Sequence, residues 1–357
     1  MRIVQVVPWL GYGDAIGNDV LAIDRTIKSR NIDTKIYVEG IDSRIEPGLA
    51  ENIKNYSPQK DDLVLLHVSA SADSNELAAD MDCRKVMIYH NITPPEFFDR
   101  YNKKNAEQCR KGLEQVKAMN NSFDMVLAVS EFNRQNLLEM GYTCEINVLP
   151  IVIPFEDYKK QPSAKILEKY DDDYTNILFL GRTAPNKKQE DVIAAFNFYQ
   201  KNYNPKSRLF IAGNSKGCEN YCEQLKEYVK QLGTKNVHFT GHTKFEEILA
   251  YYRLADLFLC MSEHEGFCVP LVESMFFNIP ILAYASSAIP DTLGGSGFLL
   301  REKNPAITGS VINRILTDKN LRYDIIKNQQ ERLTDFEHSN IESLFWKYID
   351  KFISKRD

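Results

Sequence analysis

Short runs of aliphatic and β-branched residues alternate along the chain with longer stretches whose apolar residues recur at three- and four-residue steps. A continuous apolar run bounded by turn residues reads as a strand covered on both faces, and strands alternating with helices read as parallel sheets wrapped by helices. In the first half the pattern predicts strands at 3–7, 35–38, 63–68, 86–89, 125–129 and 146–153. A second set is predicted at 176–180, 209–212, 237–240, 257–260 and 281–283. The expected fold class is α/β, with two Rossmann-like units in tandem.

Between the sets lies a polar segment, 154–162, with a proline at each end, where a linker is expected. This divides the chain into a first domain at 1–155, a second at 172–335 and a tail at 336–357. In the tail, Ile341, Leu344, Phe345, Tyr348, Ile349 and Phe352 fall on one stripe, so 339–354 is predicted to be an amphipathic helix whose apolar face needs a partner.

The 357 residues suffice for two ordinary domains. A net charge of −5 argues against a general nucleic-acid binder, which is normally basic. No apolar run approaches the ~18–20 residues that span a bilayer, and the start of the chain reads as a strand rather than a signal peptide. A cytoplasmic location is expected. Seven cysteines without a CxxC pair predict reduced thiols; Cys218 and Cys222, four apart on a predicted helix, lack further ligands nearby in sequence for a metal.

Candidate chemistry concentrates after two strands of the second set. Following 257–260 comes Ser262-Glu263-His264-Glu265-Gly266-Phe267-Cys268-Val269-Pro270-Leu271-Val272-Glu273, which reads as a glycine turn running into a helix. Amides at a helix start favour an anion, while carboxylates accept hydrogen bonds from hydroxyls, so a ligand bearing phosphate and sugar suits it. Following 176–180 comes Gly181-Arg182-Thr183-Ala184-Pro185-Asn186-Lys187-Lys188, whose cations at a strand end suit a diphosphate.

Glu265 and Glu273, with seven residues between them, resemble the E-x7-E motif of retaining glycosyltransferases of family 4. The resemblance implies the GT-B fold, two facing Rossmann-like domains with a nucleotide sugar between them and a last helix that crosses back to the first domain. It implies that Glu265 contacts the transferring sugar, that the backbone at Gly266, Phe267 and Cys268 contacts sugar and diphosphate, and that Glu273 holds the ribose hydroxyls. Relatives often have glycine where this chain has Cys268. The loop at Gly181 is similar to the family's G-R-x4-K element, in which Arg182 and Lys187 neutralise the donor diphosphate; Lys188 is the alternative in register.

In the first half, His90 and Asn91 follow a buried strand in a string similar to that of a polysaccharide-assembly subgroup of the family, which implies that His90 lies beside the sugar and the reacting phosphate. His67 ends the preceding strand and reads as core or hydrogen-bonded scaffold. The loop after the first strand holds Gly11, Gly13, Asp14 and Gly17. With Glu39 it could form a dinucleotide site, but that reading leaves Arg182, Lys187, Glu265 and Glu273 without a role. The resemblance instead makes Gly13, Asp14 and Gly17 line the donor and acceptor cleft. Ser130 is an expected helix cap. The segment 148–154 lacks the Asn and Gly of the family's P-N-G-V. His242 and Thr243, after a strand matching the family's F-x-G, are candidates to flank the base. A basic stretch from Arg100 to Lys117 could touch anionic lipid or be a solvated helix face.

The favoured expectation is a retaining hexosyltransferase that moves a sugar from a UDP-sugar, or a GDP-sugar, to a glycan or lipid-linked glycan acceptor in surface polysaccharide assembly. It is expected to need no metal or other cofactor, because Arg182 and Lys187 supply the positive charge and neither an Asp-x-Asp pair nor a His/carboxylate cluster of metal spacing stands near the motif. Contact with nucleic acid is not expected; peripheral contact with the inner membrane surface is compatible with a lipid-linked acceptor. A catalytically silent sugar-nucleotide-binding subunit is one alternative. A glycoside hydrolase is another, although its carboxylates stand ~5 Å or ~6.5–9.5 Å apart and eight helical steps cover ~12 Å.

Overall fold

The computed structural model describes residues 1–354, and the chain divides into two compact units. The first contains Met1–Pro95, Ala106–Pro154 and Asp335–Asp357, of which 355–357 lie outside the described residues; the second contains Glu96–Asn105 and Phe155–Thr334.

Strands and helices of the first half are β1 (Ile3–Leu10), α1 (Ala15–Ser29), β2 (Thr34–Ile41), β3 (Glu51–Asn52), β4 (Leu63–Val68), α2 (Asp73–Ala79), β5 (Arg84–Tyr89), α3 (Lys103–Ala118), β6 (Met125–Ala128), α4 (Glu131–Glu139) and β7 (Glu145–Val148). All seven strands are parallel, in the order β3-β2-β1-β4-β5-β6-β7. The second half continues with α5 (Phe155–Tyr158), α6 (Ala164–Lys169), β8 (Thr175–Leu180), α7 (Gln189–Asn202), β9 (Ser207–Ala212), α8 (Glu219–Leu232), β10 (Val237–Gly241), α9 (Phe245–Leu254), β11 (Leu257–Cys260), α10 (Val269–Phe276), β12 (Ile281–Tyr284), α11 (Ile289–Leu293), β13 (Phe298–Leu300), α12 (Pro305–Thr317), α13 (Lys319–Leu333) and α14 (His338–Ser354). Its six strands are also parallel, in the order β10-β9-β8-β11-β12-β13. Each sheet reverses its winding once, between β1 and β4 and between β8 and β11. Open parallel sheets of this kind bind ligands beyond the strand ends at such a point.

The stripe on α14 finds its partner in the first unit. Ile341, Phe345, Trp346, Ile349 and Phe352 are buried with Ile3, Leu63, Leu65, Val86 and Ile88 of β1, β4 and β5 and with Ile23 and Ile27 of α1. Removing such side chains from water contributes roughly 1.5–3 kcal/mol each. Arg30 stacks over Trp346 at 3.8 Å and pairs with Asp350 at 2.8 Å, and Arg84 covers Phe352.

Several expectations are corrected. The strand expected at 146–153 ends at Val148, because Pro150 has no amide for a ladder and Val152 donates its N–H to the Asp19 carboxylate instead, at 2.8 Å. β3 and β13, two and three residues long, are too short to leave a periodic signal. The expected linker at 154–162 holds α5, whose aromatics pack within the second unit: Phe155 stacks on Phe276 at 5.4 Å, and Tyr158 contacts Phe245, Phe276 and Phe277. Residues 96–105, expected in the first domain, belong to the second unit. Asn102 Nδ2 donates to the Gly217 carbonyl at 2.7 Å, and Tyr101 meets Tyr221 edge-on.

Candidate active site

At the reversal point of the second unit, the loops after β8 and β11 are tied to each other. Buried Asn186 donates its Nδ2 to the His264 carbonyl at 3.0 Å, and the Asn186 carbonyl accepts from Glu263 N–H at 2.9 Å. This seam brings Lys187 Nζ to 2.5 Å from Glu265 Oε2, although the residues are 78 apart in sequence. Glu265 is 8% exposed. Burial works against the Lys187 charge, but the Glu265 carboxylate outweighs it and raises the pKa above the ordinary lysine value. The pair is therefore a fixed ammonium–carboxylate unit. Lys188, the alternative in register, turns instead to Glu263 at 3.3 Å and Glu190 at 3.7 Å. Lys303 also holds Glu263, at 2.9 Å.

Ser287 Oγ accepts from Glu265 N–H at 2.8 Å, fixing the turn that leads to α10. The Phe267 carbonyl accepts from Thr292 Oγ1, Gly266 is half-buried, and Cys268 caps the helix start with φ +72°. That left-handed conformation is natural for glycine and strained for other residues, so Cys268 stands where the backbone itself favours a glycine. Its thiol hydrogen-bonds to Cys260, drawing the Cys260 pKa down and pushing its own up.

Glu273, in the second turn of α10, does not join the Lys187–Glu265 pair. Tyr158 donates to its Oε1 at 2.6 Å, and Tyr252 donates to Oε2. Burial raises the Glu273 pKa while both phenols pull it back. A carboxylate oxygen can accept more than one hydrogen bond, so this clamp orients Glu273 while leaving acceptor capacity for a diol. The two tyrosines escaped sequence reasoning. Tyr252 lies on α9 and Tyr158 in the expected linker, and their signal was a buried phenol that needs a partner.

Arg182 is exposed, follows half-buried Gly181 and has no carboxylate partner among the described residues. His242 is exposed, while Thr243 is tied to Thr240 and the Gly241 carbonyl. These two residues line a hollow of about 610 Å³ with Lys169, His238 and Tyr251; Arg182, Lys187, Glu265 and Glu273 are not part of its wall.

In the first unit, exposed Asp14 caps α1 by accepting from Gly17 N–H at 2.6 Å, and exposed Gly13 precedes it with φ +72°. Gly17 lies inside the helix, where a Cβ would meet the Gly11 carbonyl oxygen at 2.2 Å. Glu39, the ribose candidate of the dinucleotide alternative, accepts from Ser74 N–H. Ser130 caps α4 through Asn133 N–H. His90, 8% exposed, follows β5 and hydrogen-bonds to fully buried His67 at 3.0 Å; His67 in turn bonds to Gln5 at 3.0 Å. Asp19 Oδ2 lies 4.0 Å from His90 Nε2. Burial lowers the pKa of both histidines, His90 to about 3, and raises that of Asp19 to about 7.

Two buried groups bring three potential metal ligands within 4.8 Å: Cys260, Glu265 and Cys268, and Asp19, His67 and His90. The first lies within nine consecutive residues, from the end of β11 to the start of α10, whereas folding assembles the second from α1, β4 and the residue after β5. In the first, the carboxylate already holds the Lys187 ammonium; in the second, the facing nitrogens already share a hydrogen bond.

Residues 160–332 match the family model described as Glycosyl transferases group 1. The chain is similar to the GalNAc-alpha-(1->4)-GalNAc-alpha-(1->3)-diNAcBac-PP-undecaprenol alpha-1,4-N-acetyl-D-galactosaminyltransferase of Campylobacter jejuni, 28% identical over 48% of this chain and 47% of that protein. It is also similar to the O-antigen chain mannosyltransferase B of Escherichia coli, 23% identical over 66% of this chain and 62% of that protein. These matches thus span about half of the curated relatives' own length. The crystal structure of Anabaena HepE in complex with UDP-glucose superposes with a TM-score of 0.77 at 16% identity, covering 98% of this chain and 100% of that one. This agreement shows the fold, two parallel-sheet domains of the GT-B kind. The part of the chain similar to the glycosyl transferases group 1 is thus the segment that carries Lys187, Glu265 and Glu273.

Proposed function

We propose that the chain is a retaining hexosyltransferase of family 4 that takes a sugar from a nucleotide diphosphate donor and passes it to a glycan or lipid-linked glycan in polysaccharide assembly. The observation that carries this reading is the pairing of half-buried Lys187 with buried Glu265 at 2.5 Å at the sheet's reversal point. An ammonium has three protons to donate, so Lys187 can keep Glu265 and still bind a phosphate oxygen. Exposed Arg182 supplies a second cation, and the amides opening α10 supply further positive potential. Charge developing on the departing diphosphate is thereby neutralised, with no metal or other cofactor required. Glu265 holds the transferring sugar, and Glu273, aimed by Tyr158 and Tyr252, takes the ribose diol. Retention follows a front-face course in which the leaving phosphate oxygen accepts the proton of the acceptor hydroxyl.

The names of the relatives support a lipid-linked or O-antigen acceptor, and the HepE complex supports UDP-sugar over GDP-sugar. Among the described residues no helix is long and apolar enough to cross a membrane. The reading places the chain in the cytoplasm, with the basic residues around α3 touching the anionic membrane face where the acceptor is lipid-linked.

The test is a thermal-shift panel of UDP- and GDP-sugars followed by transfer and slow hydrolysis assays on the stabilising donor. A ligand at ~100 times its Kd adds ~2.7 kcal/mol of stability. Turnover lost in Glu265→Gln with nucleotide binding retained supports the proposal. Binding without turnover in the parent chain points to the silent subunit, and free sugar released without a nucleotide donor points to a hydrolase.

A further inference from the structure

The proposed transfer chemistry leaves a line of buried polar groups in the first unit unexplained. It begins at the Val20 carbonyl of α1, a group that can only accept. Gln5 Nε2 lies 3.1 Å from that oxygen and is therefore the donor, which fixes the amide so that Gln5 Oε1 faces His67. Oε1 is in turn only an acceptor, so His67 Nε2, at 3.0 Å, carries a proton. Burial keeps His67 neutral, so its Nδ1 bears a lone pair. That nitrogen lies 3.0 Å from His90 Nε2, with the two rings tilted by only 13°, and His90 must donate to it. His90 is neutral for the same reason, which leaves its Nδ1 as a bare acceptor. This atom is buried and has no hydrogen-bond partner among the described residues. Asp19 does not interrupt the line, because its Oδ1 is bonded to Val152 N–H and its Oδ2 is 4.0 Å from His90.

We infer that Gln5 and His67 are positioning residues that hold His90 as the Nε2–H tautomer, so that its Nδ1 lone pair is presented to a ligand hydroxyl. Such an atom accepts from a hydroxyl and has no proton to give to a phosphate oxygen. Identifying that hydroxyl as one on a sugar rests on the proposed function; the tautomer does not. The strand register builds the line. Gln5 pairs with Leu65 across β1 and β4, His67 pairs with Ile88 across β4 and β5, and two-residue alternation puts Gln5, His67 and His90 on one face.

The experiment is long-range proton–nitrogen correlation NMR on the full chain labelled with ¹⁵N-histidine, with His90→Gln assigning the signal. The expected spectrum has a pyrrole-like Nε2 and a pyridine-like Nδ1 at His90. A protonated Nδ1 at His90 in the metal-free chain overturns the inference. Gln5→Leu, with folding verified by thermal melting, is expected to give mixed tautomers at His90; a single unchanged tautomer removes Gln5 from the role. Sugar transfer by Gln5→Leu is expected to fall about tenfold in kcat/KM, the loss of one hydrogen bond, with UDP affinity unchanged. If the parent chain transfers no sugar, the proposed function fails while the NMR result still decides the tautomer.

Discussion

In the first unit, β1, β4 and the end of β5 bring together Gln5, His67 and His90, all buried, with both histidines uncharged; in the second, the strands flanking the winding reversal lead to half-buried Lys187, which keeps its charge, and buried Glu265. The sheets share their direction and their reversal, so the backbone does not make this difference. It comes from the partner at bonding distance. Lys187 has a carboxylate at 2.5 Å and keeps its proton against burial, whereas His90 has its nearest carboxylate at 4.0 Å and loses its proton to burial. One unit thus presents a fixed charge, the other an uncharged hydrogen-bond acceptor.

The sharpest way to break the contrast is to remove the cation. Lys187→Met is expected to lower kcat for the preferred donor by about 10²–10³, the scale of losing one preorganised group at developing charge, and adding Glu265→Gln should cost much less than the product of the two single effects. Steady-state kinetics on the three variants check this, and independent effects would mean that the pair does not act as a unit.

The uncharged cluster is tested by pH. Burial raises Asp19 from 3.8 to about 7, so its contribution to stability is lost as pH rises through that range. Burial lowers His90 from 6.5 to about 3, so its contribution is lost as pH falls through that range. Relative to the parent chain, Asp19→Asn should gain stability on going from pH 4 to 7, and His90→Gln on going from pH 6.5 downward. Each slope has a ceiling of about 1.4 kcal/mol per pH unit. Denaturant titrations across pH would show it, and slopes of equal sign would contradict the assignment.

Within the charged unit, Tyr252→Phe frees one oxygen of Glu273. UDP affinity is expected to fall about tenfold, the scale of one hydrogen bond to a charged group, with kcat nearly unchanged. Calorimetric titration with UDP measures this, and unaltered affinity would leave Tyr252 a packing residue. The smallest effect is expected at Asp14→Ala, where loss of the α1 cap costs about 1 kcal/mol of stability. Because its carboxylate is bonded to Gly17, donor KM should stay constant; a rise would return Asp14 to a ligand-facing role.

Apolar runs and turn residues were sufficient to place most strands of both sheets, since central strands such as β4, β6, β9 and β11 are buried along their whole length and so read as hydrophobic segments. The stripe on α14 likewise announced a covered face. Glu265, Glu273, Arg182 and Lys187 were legible because a turn and a helix start keep them in short, fixed strings. Gln5, Asp19, Tyr158 and Tyr252 were not, because each matters only through a residue brought near by folding: Gln5 through His67, Asp19 beside His90, and both tyrosines through Glu273.

The sequence by itself determined the alternation of elements, the two parallel sheets and the chemical types at the strand ends, because periodicity and turn chemistry act over a few residues. Only the tertiary structure decided which groups touch: that Lys187 rather than Lys188 meets Glu265, that Glu273 is held by phenols, and that two histidines share a proton line with a strand glutamine. Those outcomes depend on strand register and on the distance between side chains remote in sequence, and at such sites an ångström of separation decides whether a buried group is charged.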